Sequence, residues 1–360
     1  MRKFVTLDGL RGVAALFIAF RHAPIRADFA LDRVTSSESY LAVDFFFALS
    51  GFVLCHAYQR RLSEGMSVSA FLRTRWLRLY PLYFLAWLLA LPLAVAQFWR
   101  GGIGGPALAV NALLGLLLLP SPANLVLFPM NTQAWSLFLE LIANGIFGLV
   151  EKGRGAAAHF GLVAAAALVL IPAVAFGWFG FGSSPGPMDA GALWSTLAGG
   201  FVRVMYSFFA GALVYRVWRL RPARIGLSPY ILVAILASAL SMRSTVPHVI
   251  GFDLSTTLFV FPLVIYLGAC STPDARTSAI CAQLGRLSYP VYILQAMFFG
   301  YAPHVLPARL TDLGAVSSGA VSLGLVTLLI ALAWVAEKHF DRPARRLLSR
   351  LAAGPVAPAL

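Results

Sequence analysis

The residues of this chain best placed for chemistry are ionisable groups inside apolar stretches. Arg11 and His22 share one such stretch, eleven positions apart. On a helix that spacing is about three turns plus 20°, with a rise of about 16 Å. The two side chains thus share a face, one toward each end. Asp44 in YLAVDFFFALSGFVL and Glu140 in QAWSLFLELIANGIFG fall in the same half of a bilayer as His22 when residues are counted down each helix. A histidine oriented by a carboxylate can act as a general base, so His22 with Asp44 or Glu140 is a candidate catalytic cluster. A buried structural polar network is the competing reading. Arg203, near the middle of a later stretch, is either a counter-ion to Asp44 or Glu140 or a ligand for an anionic donor. In SAFLRTRWLRLYPLYF, Arg75 and Arg78 are three apart on one helical face, accompanied by Arg73, Trp76 and Tyr80. Guanidinium groups so spaced can bind phosphate bidentately, and they can equally anchor a helix at a membrane surface.

The elements that must position these groups are membrane helices. Of 360 residues, 59% are apolar and 12% charged, against about 25% charged in a soluble domain, and the mean hydropathy is +0.80. That excludes a soluble globule and a disordered chain. Crossing the hydrocarbon core takes about 20 mostly apolar residues. Ten stretches qualify, near 7–25, 40–57, 79–98, 133–150, 156–177, 192–215, 228–242, 254–270, 286–302 and 316–336. The first is read as a spanning helix rather than a cleaved leader, because Asp8, Arg11 and Arg21 interrupt it. The stretch 107–119, ALAVNALLGLLLL, is too short to span.

Loop charge supports that count. With the N-terminus inside, the cytoplasmic segments carry 20 of the 28 basic residues, and the outer loops only Arg26, Arg33, Arg100, Arg243 and Arg309. A span over 107–119 would turn every later loop round, against the positive-inside rule. The expected fold is an all-α polytopic membrane protein with ten transmembrane helices and both termini cytoplasmic. It forms a single domain over 1–340, followed by a short basic tail over 341–360 that ends in a disordered AAGPVAPAL.

Other chemistries are disfavoured. Cys55, Cys270 and Cys281 have no paired or zinc-like spacing, and no metal site is expected. His56, His159, His248, His304 and His339 read as interfacial residues at span ends or in loops. The net charge of +14 reflects orientation in a bilayer, not a nucleic-acid surface. Neither a G-x-S-x-G nor a phosphate-cradling glycine loop is present.

Taken together, the chain resembles the membrane-bound acyltransferase-3 family from Leu7 to about Phe340. LDGLRGVAALFIAFRHA is similar to the family's opening, an arginine and a histidine separated by ten residues, here Arg11 and His22. VDFFFALSGFVL is similar at Asp44, Phe46, Ser50, Gly51 and Phe52, RWLRLYPLY at Arg75, Arg78, Tyr80 and Pro81, and WSLFLE at Trp135 and Glu140. A fifth stretch, GRLSYPVYILQ, is similar at Gly285, Ser288, Tyr289 and Tyr292, and ends in Gln295 where many relatives carry a histidine. The resemblance implies an O-acyltransferase of the plasma (bacterial inner) membrane. It would move an acyl group, acetyl foremost, from cytoplasmic acyl-CoA to a hydroxyl of a carbohydrate or lipid-linked glycan. Acyl-CoA would be a donor substrate, with no permanently bound cofactor. His22 would be the base, directly or through an acyl-histidine, held by Asp44 or Glu140. Arg11, Arg75 and Arg78 would bind the donor, with Ser50, Tyr80, Trp135 and Arg203 in support. Intramembrane arginine, histidine and carboxylates also serve transport, so a transporter or flippase for a lipid-linked sugar or an anion is the alternative.

Overall fold

An apolar segment surrounded by lipid must satisfy each backbone N–H and C=O within itself, and a helix does this. A computed structural model describes residues 2–23, 38–153, 155–183, 186–222, 226–241, 249–305 and 315–353. Among them there are helices and one isolated antiparallel bridge, Val126 to Leu193, but no strand. The helices are α1 Val5–His22, α2 Ala42–Ser63, α3 Val68–Trp99, α4 Gly105–Leu116, α5 Ala134–Gly153, α6 Gly155–Phe176, α7 Leu197–Leu220, α8 Pro229–Ser241, α9 Val249–Cys270, α10 Ala275–Val305, α11 Ala315–Ala336 and α12 Arg342–Ala353. A π turn over Thr256–Val260 interrupts α9, and another over Glu337–Asp341 joins α11 to α12. Arg26, Arg33, Arg154, Arg224, Arg243, His248, Arg309 and the C-terminal residues from 354 lie outside the described residues.

All ten stretches expected to span are helical over most of their described residues. Seven helices among the described residues are long and apolar enough to cross a membrane: α2, α3, α5, α6, α7, α9 and the run of α11 into α12. The other three of the ten differ for identifiable reasons. Helix α1 holds Asp8, Arg11 and Arg21 within 18 residues, α8 is only 13 residues long, and α10 carries Arg276, Arg286 and several uncharged polar side chains. Helix α4, inside the stretch expected not to cross, has 12 residues, about 18 Å of rise against a core of about 30 Å.

Burial sorts the bundle into a centre and a rim. The span containing α2 is 72% buried and that of α6 only 22%. Large apolar side chains such as Phe160, Leu168 and Phe176 on α6, and Leu323 and Leu328 on α11, point outward, as lipid-facing residues must. At the centre, backbones meet closely. Helix α1 lies along α10, where a Cβ on Gly12 would come within 2.5 Å of Leu284 and one on Gly285 within 2.5 Å of Asp8. Helix α2 crosses α7 with Gly51 against the Phe208 carbonyl and Gly211 against the Ala48 carbonyl. Small residues let helices approach this way where lipid offers no hydrophobic drive for association.

The α2–α7 crossing leaves no room for a side chain. Gly51→Leu should cost at least the ~1–3 kcal/mol typical of overpacking and lower the thermal midpoint of the detergent-purified protein. The same change at Gly161, where no atom lies within 4 Å of a Cβ, should leave the midpoint unchanged. Equal midpoints for both variants would show that the crossing is not tight.

Candidate active site

Two cavities lie toward opposite ends of α1. The first, about 380 Å³, opens beside Arg11 and is lined by α1, α2, α3, α5, α10, the Glu337–Asp341 turn and α12. Five guanidinium groups reach it, from Arg11, Arg75, Arg78, Arg286 and Arg345, with Asp8, Glu140, Glu337 and Asp341 as its acids. The second, about 350 Å³, holds His22 with His304, Gln97, Arg100, Thr132 and Gln133 on a wall of small and apolar residues such as Ala90, Met130, Met297 and Gly300.

Helix α1 connects the two because it runs parallel to α10. Gly9 meets Cys281, Gly12 meets Leu284, and Arg11 donates from Nε to Ser288 Oγ at 2.9 Å and from Nη2 to the Gly285 carbonyl at 2.8 Å. Asp8, 3.2 Å from Arg11, completes the pairing. The same register brings the end of α1 level with the residues of α10 that line the second cavity, Ala296 to Gly300. His22 Nδ1 lies 2.9 Å from the Ile18 carbonyl. Only a protonated Nδ1 can donate there, so a neutral ring carries its lone pair on Nε2, as a base requires.

The carboxylates expected beside His22 are bound by other groups. Asp44 is fully buried and takes Arg203 at both oxygens, Nη2 to Oδ2 at 2.6 Å and Nε to Oδ1 at 3.2 Å. Arg203 also donates to the carbonyls of Ala190 and Tyr40, and its guanidinium lies 5.7 Å from the centre of the Trp135 ring. Of the two roles open to Arg203, the contacts are those of a counter-ion to Asp44, with Trp135 as packing support. Glu140 belongs to the arginine-lined cavity, where Ser50 Oγ donates to it at 2.5 Å and Arg75 Nη2 at 3.2 Å. It does not line the second cavity beside His22. Tyr80 donates to the Leu116 carbonyl at 2.8 Å and stacks on Trp76, which ties α4 to α3. His159, expected at an interface, is fully buried 3.2 Å from Glu151, which Arg216 also meets at 2.7 Å.

Several cavity residues went unread in the sequence. Glu337, Asp341 and Arg345 repeat every four residues, a one-face spacing that was open to view; the segment expected as a basic tail thus supplies Asp341 and Arg345 to the cavity. Arg286 lies inside the GRLSYP stretch and His304 fourteen residues beyond its end. Gln295 is fully buried with no partner for either amide atom among the described residues, in the wall between Tyr292 of the first cavity and Ala296 of the second.

If Asp44 is structural, removing it should act through stability. Asp44→Ala should cost ~3–5 kcal/mol, the penalty for stranding a buried partner charge, and abolish a sharp unfolding transition. Replacing the pair together, Asp44→Leu with Arg203→Met, should recover much of that loss. An Asp44→Ala protein of unchanged stability and no activity would return Asp44 to the chemistry.

Comparison with known proteins agrees with this architecture. The acyltransferase domain family matches residues 4–336. The protein named acyltransferase MdmB of Streptomyces mycarofaciens is 27% identical over 96% of this chain and 92% of its own length. Protein 2 in the picA locus of Rhizobium radiobacter is 45% identical over 160 residues, 40% of this chain and 81% of that protein. No solved structure matches. With the family match running over nearly the whole length of a bundle of long apolar helices, this chain belongs to the acyltransferase family and is an integral membrane acyltransferase.

Proposed function

We propose that the protein transfers an acyl group, acetyl foremost, from acyl-CoA in the arginine-lined cavity to a hydroxyl of a carbohydrate-type acceptor in the His22 cavity. One observation carries this reading: a single helix presents guanidinium chemistry to one cavity and an imidazole to another, eleven residues along the same face. The donor's phosphates would lie in the cavity that Arg11, Arg75 and Arg78 line, and its thin pantetheine arm would follow α1 toward His22. Acceptor oxygen and thioester would meet at Nε2. His22 takes the hydroxyl proton, the oxygen forms an ester bond to the acyl carbon, the C–S bond breaks, and the CoA thiolate recovers the proton from the imidazolium. Holding both reactants in line supplies much of the rate.

The same reading puts the arginine-lined end in the cytoplasm, where acyl-CoA is made, with ten spans, both termini inside and the bacterial inner membrane as its site. Arg60, Arg61 and Arg73 near the α2–α3 connection, Arg219 and Arg221 at the end of α7, and Arg342, Arg346 and Arg350 on α12 support that orientation. The acceptor is then a cell-surface or exported glycan. Family membership weighs against the transporter alternative.

The test is His22→Ala. Membranes of cells expressing either form receive [¹⁴C]acetyl-CoA, and label in glycan is measured beside the amount of inserted protein. Loss of a general base is worth about 10²–10⁴-fold, so label should fall at least a hundredfold at equal insertion. Label within tenfold of the unmutated protein would overturn the role of His22.

A further inference from the structure

The five guanidinium groups of the first cavity are not equivalent. Arg11 is tied to Asp8, Ser288 and the Gly285 carbonyl. Arg75 is buried against Glu140, and Arg345 pairs with Asp341. Arg78 and Arg286 line the same cavity and have no hydrogen bond or ion pair among the described residues. Both are exposed to it. Arg78 stands among the positive charges of Arg75, Arg11 and Arg345, with Glu140 as the opposing charge.

This difference decides which groups a ligand can use. A paired, buried guanidinium must give up its carboxylate before it grips an anion, and stranding that carboxylate is costly. An unpaired guanidinium facing a cavity offers its planar fork to phosphate oxygens at once. We propose that Arg286, acting with Arg78, makes the direct phosphate contacts to the acyl donor, and that Arg11 and Arg75 are positioning residues whose bonds shape the wall between them. CoA carries two separate anionic groups, a diphosphate and a ribose phosphate, so two unpaired arginines from different helices, α3 and α10, match its chemistry. This assignment rests on the first cavity being the donor site.

The experiment measures binding of CoA, and of pantetheine as its phosphate-free counterpart, to the full chain in lipid nanodiscs by calorimetry. The unmutated protein should bind CoA much more tightly than pantetheine. Arg286→Ala should weaken CoA binding at least tenfold, Arg286→Lys less, and neither should change pantetheine binding. Arg276→Ala removes the same charge from an exposed position ten residues earlier on α10, outside the cavity, and should change CoA binding less than twofold. If the unmutated protein does not prefer CoA to pantetheine, the donor reading falls and this assignment with it. If it does, and Arg286→Ala stays within twofold of it or matches Arg276→Ala, the donor reading stands and the role of Arg286 is overturned.

Discussion

A full charge inside a low-dielectric bundle has to be answered by an opposite one, and that requirement orders the polar interior of this protein. Asp44 is answered by Arg203, Glu140 by Arg75, and Glu151 by Arg216 with His159. Each arginine pair joins helices that are not neighbours in sequence, so each also fixes how two helices stand to one another. The cost of leaving any partner alone is several kcal/mol. What remains unanswered therefore becomes informative: where a guanidinium on the cavity wall has no carboxylate bonded to it, the counter-charge is free to come with a ligand.

The same requirement explains why the acids and His22 do not share a cavity. Residue types and spacing single out Arg11, His22, Asp44, Glu140 and Arg203, because a charge in an apolar run stands out in any sequence. Their pairing was legible only as alternatives: Arg203 could meet Asp44 or Glu140, and it meets Asp44. Which arginine meets which acid depends on crossing angles and on helices of unequal length. Arg75 on α3 meets Glu140 on α5, and no spacing within either helix announces that contact. The helices themselves were legible, since a long apolar run admits few alternatives, and 107–119 holds a helix of the shorter kind, Gly105–Leu116. Arg286 and the Glu337, Asp341, Arg345 repeat were overlooked because each sits where a positively charged cytoplasmic boundary is the ordinary explanation.

Close packing of α1 on α10 ties the two cavities together. With Gly12 and Gly285 at the contact, the helices have little freedom to slide, so the distance from the guanidinium cluster to the imidazole is held by backbone rather than by side-chain choice. Under the proposed function, a donor of fixed length would then meet His22 at fixed range. The cost of that rigidity is intolerance: a methyl group at either glycine would force the helices apart and disturb both ends together.

The π turn at Glu337–Asp341 has a consequence for the chain's tolerance of length changes. One extra residue wound into a turn rotates all that follows by about 100°. Here it sets the phase in which Asp341 and Arg345 reach the cavity while Leu347 and Leu351 remain outside. Removing a single amino acid from the turn would swing the last helix by more than a quarter revolution and carry an acid and a base off the cavity wall in one step. Frame-length variation, rather than substitution, is thus the change to which this corner of the protein is most vulnerable.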